Sequence, residues 1–208
     1  MIRVYDYPLS GNCYKVRLLL GILGVSAEYV AVDFFPGRAH RHPDFLQINP
    51  LGQIPVMEDG DLRLRDAQAI LVYLAAKYDG TGQWYPRDAQ TLGKVSMWLA
   101  FADRITATAS AARLHDGMHY DFDIAKCRAD AHALFRVLDE HLWFAEAADS
   151  RWIATKDHPT IADIACFPYV MLSEEGGIPR EDYPAIRRWT DRVKAINGFI
   201  TMPGIFPL

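Results

Sequence analysis

Apolar and polar positions change period several times along the first eighty residues. Ile2-Arg3-Val4-Tyr5-Asp6-Tyr7 alternates as an extended strand does. Val16, Leu19, Leu20 and Leu23 then recur at helical spacing, and Gly24 closes the run. Glu28 to Val32 is rich in β-formers. Ile54 to Met57 and Leu62 to Leu64 flank the turn Glu58-Asp59-Gly60-Asp61, a hairpin pattern with glycine in its loop. From Asp66 to Lys77 the spacing predicts a helix that buries Ile70, Leu71 and Leu74. Strand, helix, strand, hairpin, helix makes a small α/β sandwich whose first two strands are parallel and joined by a right-handed crossover.

That order resembles a thioredoxin-type fold. Residues 80–85, Gly-Thr-Gly-Gln-Trp-Tyr, carry turn formers and no period, and read as a linker between a first domain over 1–79 and a second over 86–208. Beyond it only helical spacing appears: Val95, Leu99, Ala102 and Ile105; Leu134, Leu138 and Leu142; Ile164 to Leu172; Ile186, Trp189 and Val193. The fold class expected is therefore α/β followed by all-α. Thr160-Ile161-Ala162-Asp163 sets an N-cap hydroxyl three residues ahead of a carboxylate, a variant of the capping box that serves folding.

Half of the 208 residues are apolar, enough for a proper core and incompatible with disorder. No window approaches the ~18 apolar residues of a membrane span, and the alternating start lacks a signal peptide's apolar block, so a soluble, cytoplasmic protein is expected. A formal charge of -4 without a basic stripe argues against nucleic acid. Cys13, Cys127 and Cys166 are too scattered for a redox pair or zinc knuckle and read as free thiols.

The densest chemical signal is Asn49-Pro50-Leu51-Gly52-Gln53-Ile54-Pro55-Val56, followed ten residues on by Asp66-Ala67-Gln68-Ala69-Ile70. Pro55 has no N–H for a ladder and belongs at a strand's first residue, edge or turn. With a cis Ile54–Pro55 bond, the main chain of Val56 would turn outward and could pair with an extended peptide; with a trans bond, Pro55 is an ordinary loop proline.

An α/β segment with these two motifs, joined to a helical one with Thr-Ile-Ala-Asp-Ile, resembles the cytosolic glutathione transferase superfamily over essentially the whole chain, in a bacterial, serine-type form. The resemblance implies a glutathione site. Val56 would pair with the cysteinyl unit through its backbone, beside Ile54. Asp66 would hold the tripeptide's amine, and Ala67 would meet the γ-glutamyl carboxylate. Ala67 departs from the family's Ser or Thr there, leaving its backbone N–H at a helix N-terminus to do the work. His40 and Gln53 would face the glycyl carboxylate, although Gly37 lies one residue farther from His40 than in the family pattern. Among Arg38, Arg41 and His42, a solvated loop histidine is the other reading of His40.

Aligning Lys15-Val16-Arg17-Leu18 with the family's first helix puts Ser10 at the thiol-activating position, with Asn12 as a second donor. On spacing alone, Ser10-Gly11-Asn12 reads first as turn and cap chemistry, and it is the resemblance that favours the catalytic role. Cys13 lies nearly a turn too far along to match a reactive cysteine and is expected to pack inside the helix. The electrophile pocket is expected between the domains, from Tyr7 and Leu9 of the first loop and Phe101 and Arg104 of the second domain's first long helix, with Trp98 in the core. The segment His115 to Tyr120 would cap it.

The resemblance implies a homodimeric transferase that conjugates the glutathione thiolate to small hydrophobic electrophiles. Glutathione acts as co-substrate, with no metal or organic cofactor and no nucleic-acid or membrane partner. Two alternatives remain open: a glutathione-binding protein with little turnover, which Ala67 favours, and a glutathione-dependent disulfide or peroxide reductase.

Overall fold

The computed structural model describes all residues, 1–208. Four strands form one sheet in the order β2-β1-β3-β4, with β1 over Ile2–Asp6, β2 over Ala27–Ala31, β3 over Val56–Asp59 and β4 over Leu62–Leu64. β1 and β2 run parallel, β1 and β3 antiparallel, and β3 and β4 form the hairpin. The hairpin turn is tighter than the sequence suggested, because Glu58 and Asp59 extend β3 opposite Arg63 and Leu62.

Helix α1, Gly11–Leu23, links the parallel strands and ends on Gly24 in the left-handed conformation. Short α2, Pro43–Ile48, and α3, Ala67–Tyr78, complete this half. Asp59 at the end of β3 fastens α3 by accepting from Tyr73 Oη at 2.9 Å, Tyr78 Oη at 2.5 Å and Lys77 Nζ at 2.6 Å.

Residues 80–88 carry neither helix nor strand, and the named elements after them are helical: α4 over Ala89–Ile105, a π-helical turn over Thr106–Ser110, α5 over Ala111–Met118, α6 over Ile124–Ala147, α7 over Ile161–Met171 and α8 over Pro184–Lys194, with one isolated bridge between Met202 and Ile205. The capping box is formed: Thr160 Oγ1 accepts from Ala162 N–H at 3.2 Å and the Asp163 carboxylate from Thr160 N–H at 2.9 Å. Asp163 also takes Trp189 Nε1 at 2.9 Å and Ile153 N–H at 3.1 Å, which ties α7 to α8.

One apolar core runs from Val4, Leu19 and Ile70 through Leu99 to Phe167 and Trp189. α1 packs on α3 at one side and α7 at the other, so all but its tips and Arg17 is buried. No helix is long and apolar enough to cross a membrane.

Candidate active site

Topology brings the chemistry to one sheet edge. β1 ends at Asp6 beside the start of β3, because Tyr5 pairs with Val56. β2, parallel to β1, ends at the same edge and leads to Phe34 and His40. β4 returns to that edge at Leu64, opposite Met57, and delivers the N-terminus of α3. Two helix N-termini, of α1 and α3, therefore open there, where free N–H groups and aligned dipoles favour anions.

The loop between α2 and β3 is built from Asn49, which is fully buried. Its Nδ2 donates to Gln53 O at 2.8 Å and its Oδ1 accepts from Leu51 N–H at 3.1 Å. Gly52 has φ +57°, and a Cβ there would come within 2.8 Å of His40 O, so glycine is required twice over. Ile54–Pro55 is cis, the form the peptide-pairing reading needed; Phe35–Pro36 is cis as well. β4 stops short of Val56, which therefore has β1 on one side and no strand on the other.

Against this edge lies a cleft of about 560 Å³. Ser10, Asn12, His40, Gln53, Ile54, Asp66 and Ala67 border it, as do Tyr7 and Leu9. Val56 does not border it: its side chain is fully buried behind Pro55, in a small cluster with Cys13 and Phe45.

Phe101 and Arg104 are not brought into the cleft. The face of α4 and the turn after it that fronts the space carries Asp103, Thr106, Ala107 and Ser110, at spacings of three and four. Phe101 and Arg104 fall on other faces; Phe101 packs edge-on to Trp98 at 4.9 Å, and Trp98 is buried as expected. The opposite wall is Phe34, Arg113, Leu114, Met118, Tyr120 and Phe122, none of which the sequence reading singled out individually as a pocket residue. Of the expected cap, His115 to Tyr120, only Met118 and Tyr120 reach the cleft; His115 pairs with Asp116 at 2.9 Å on the surface.

Ser10 is the N-cap of α1, its Oγ accepting from Cys13 N–H at 3.2 Å. A hydroxyl that accepts still has its own proton to donate, so capping leaves a donor for the cleft. Asn12 N–H donates to Tyr169 Oη at 3.2 Å, and a Cβ on Gly11 would come within 2.6 Å of the Tyr169 ring. Cys13 is fully buried, and loss of solvation, reinforced by Asp6, pushes its thiol up to about 12. It is no nucleophile at neutral pH.

His40 is buried, not solvated. Its ring stacks on Phe34 at 4.1 Å and 16°, and burial together with Arg41, Arg38 and His42 lowers it to about 4. Asn12 Oδ1 and His40 Nδ1, both on cleft residues, are buried without a hydrogen-bond partner, and Gln68 Oε1 beside Ala67 is a third. Such atoms are rare in folded proteins; with no exposed surface they lie behind the cleft wall, and a fourth, Arg192 Nη2, is on α8.

Charge is divided across the cleft. Arg41 and Arg65 border it outside any ion pair, whereas Asp66 caps α3 through Ala69 N–H at 2.8 Å and Asp103 accepts from Gln68. Burial, then repulsion from Asp66, raises the Asp103 carboxyl.

Residues 1–76 match the family model "Glutathione S-transferase, N-terminal domain". The chain is similar over 98% of both chains to the solved structure of a glutathione S-transferase from Xanthobacter autotrophicus Py2, at 30% identity and a TM-score of 0.84. The chain belongs to the cytosolic glutathione transferase superfamily. The chain is 40% identical over 98 residues to Glutathione S-transferase 3 of Zea mays, spanning 47% of this chain and 44% of that one. Glutathione S-transferase 1 of Dianthus caryophyllus matches at 27% over 91% of this chain and 86% of its own. The thioredoxin-like sheet followed by a helical part is this superfamily's architecture.

Proposed function

We propose that this glutathione transferase relative is an active glutathione S-transferase, whose cleft holds glutathione while the thiolate attacks a small hydrophobic electrophile. The observation that carries the reading is the cleft itself, on which Ser10, Asn12, His40, Asp66 and Ala67 converge between two helix N-termini. A tripeptide with one amine, two carboxylates and a thiol meets such a surface group by group. Asp66 takes the ammonium, the N–H of Ala67 the γ-glutamyl carboxylate, and the main chain of Val56, beside Ile54, the cysteinyl unit. Gln53 and neutral His40 donate to the glycyl carboxylate, with Arg41 supplying charge.

The sulfur then lies at the N-terminus of α1. A free thiol titrates near about 8.5, so a few per cent is ionised at neutral pH. Donation from Ser10 and Asn12, with the helix dipole, favours the anion, and a shift of ~2 units, worth ~2.7 kcal/mol, makes most of the bound thiol nucleophilic. The sulfur forms its bond to the electrophilic carbon as that carbon's leaving group departs or its π bond shifts away. Tyr7, Leu9, Phe34, Leu114 and Tyr120 form the apolar side where that carbon is held.

The setting we infer is a cytoplasmic homodimer with domains over 1–79 and 86–208, glutathione being the co-substrate without a further cofactor. Ser10→Ala should lower kcat/KM for conjugation at least tenfold; an undiminished rate removes the role of Ser10.

A second reading, a binding protein with little turnover, is favoured by Ala67, which offers no hydroxyl, and by the engagement of Ser10 Oγ as a cap. Tight calorimetric binding of glutathione with no turnover over a panel of electrophiles selects it. Turnover of disulfides or peroxides instead of electrophiles selects a reductase using the same Ser10 and Asn12; Cys13, buried and protonated, takes no part.

A further inference from the structure

Lys15, in the second turn of α1, is fully buried. Its one hydrogen-bond partner is uncharged Thr106 Oγ1 at 3.5 Å, and no carboxylate lies within ion-pair distance. Lysine is almost never buried completely without a counter-charge, so this ammonium has a reason to be where it is. The groups facing it are Asp66 ahead of α3, Asp103 on α4, Thr106 on the turn, and Cys166 and Tyr169 on α7. Burial raises both the Cys166 thiol and the Tyr169 phenol, so they stay neutral, and only the two carboxylates offset the charge.

The ammonium sits 5.4 Å from the centroid of the Tyr169 ring, and the hydroxyl of that ring holds Asn12 N–H at 3.2 Å. One aromatic ring thus separates Lys15 from the start of α1. Resting on the glutathione reading above, we propose that Lys15 acts through the cleft wall as a buried positive charge that keeps the bound thiol ionised. At about 10 Å and an effective dielectric of about 20, a unit charge moves a neighbouring titration by roughly one pH unit. The ligand's ammonium engages Asp66, which frees the field of Lys15 to act on the sulfur.

Burial lowers Lys15 to about 8, and a thiolate nearby raises it again, so the two protons are linked. The charge is present at neutral pH and fades as the pH climbs past that value.

The test is a pH titration of thiolate ultraviolet absorbance for glutathione bound to the wild type and to Lys15→Met, Lys15→Gln and Lys15→Arg, beside calorimetry with S-methylglutathione, which has no ionisable sulfur. The expected result is a thiolate midpoint about one pH unit higher in Lys15→Met and Lys15→Gln. Lys15→Arg should keep the wild-type midpoint, and S-methylglutathione should bind all four proteins alike. Lys15→Gln serves if the methionine variant fails to fold. A midpoint unmoved in the neutral variants overturns the proposal while leaving glutathione chemistry intact, and so does loss of S-methylglutathione binding in step with the midpoint, which marks a structural role. A wild type with no thiolate signal at any pH overturns the glutathione reading and this proposal with it.

Discussion

Arg113 of α5 donates from Nη1 to the carbonyl oxygen of Leu9 at 2.7 Å, one residue ahead of Ser10, while its Nε holds Glu175 at 2.5 Å. Arg17, paired with Asp6, donates to the carbonyls of Tyr7 at 3.4 Å and Pro8 at 3.0 Å in the same loop. The loop that presents the thiol-activating hydroxyl is thus fixed by guanidinium groups from both halves of the molecule. Arg113→Met should lower kcat/KM about tenfold with little change in glutathione KM, since orientation is lost and not binding. Urea unfolding should show a loss of about 1–3 kcal/mol for the same variant. A kinetically silent Arg113→Met would mean the loop holds its shape without that clamp.

Ala67 should be improvable. It is buried at the first turn of α3 and borders the cleft. Ala67→Ser adds one donor at a place where the family puts a hydroxyl, and calorimetry should show glutathione binding roughly tenfold tighter, the worth of one added hydrogen bond to a charged group. Unchanged affinity would mean the γ-glutamyl carboxylate does not rest there.

His40 sets a pH dependence of stability. Its native value near 4 lies below that of an unfolded histidine, so the unfolded chain binds the extra proton between the two. Above about pH 6.5 both states are neutral and stability is at its plateau; as the pH falls toward 4, up to about 3 kcal/mol is lost. His40→Phe should remove that slope over the window, read as unfolding free energy against pH. Persistence of the slope would assign it to another group.

Asp163 accepts from Thr160 N–H, Trp189 Nε1 and Ile153 N–H in the fully buried joint between α7 and α8. Asp163→Ala strands three buried donors and should cost at least about 3 kcal/mol in chemical unfolding. A loss below about 1 kcal/mol would contradict that account.

Where period carried the signal, the sequence was readable: the strands, α1 closed by Gly24 and α3 starting at Asp66 lie within one or two residues of the expected limits, and the apolar positions expected after the linker fall inside α4, α6 and α8, although α4 and α6 extend well beyond them. α2 escaped because six residues are too few for a period, and α5 with its π-helical turn because Thr106-Ala107-Thr108-Ala109-Ser110-Ala111-Ala112 carries no apolar rhythm. The near wall of the cleft was legible because Ser10, Asn12, Ile54, Asp66 and Ala67 sit at element ends that local motifs mark. The far wall was not, since it depends on the register of helices a hundred residues away, and one position along α4 exchanges Asp103 for Arg104. Two charged residues left a visible trace: Arg113 stands alone in Ala109-Ser110-Ala111-Ala112-Arg113-Leu114, and Lys15 occupies a place in α1 where neighbours on every side are core.

The most direct test is a crystal structure with glutathione soaked into the cleft. It should show the sulfur within hydrogen-bond reach of Ser10 Oγ, about 3–3.5 Å, and the cysteinyl main chain paired antiparallel with Val56. Glutathione seated with its sulfur away from the N-terminus of α1, or excluded from this cleft altogether, would contradict the assignment.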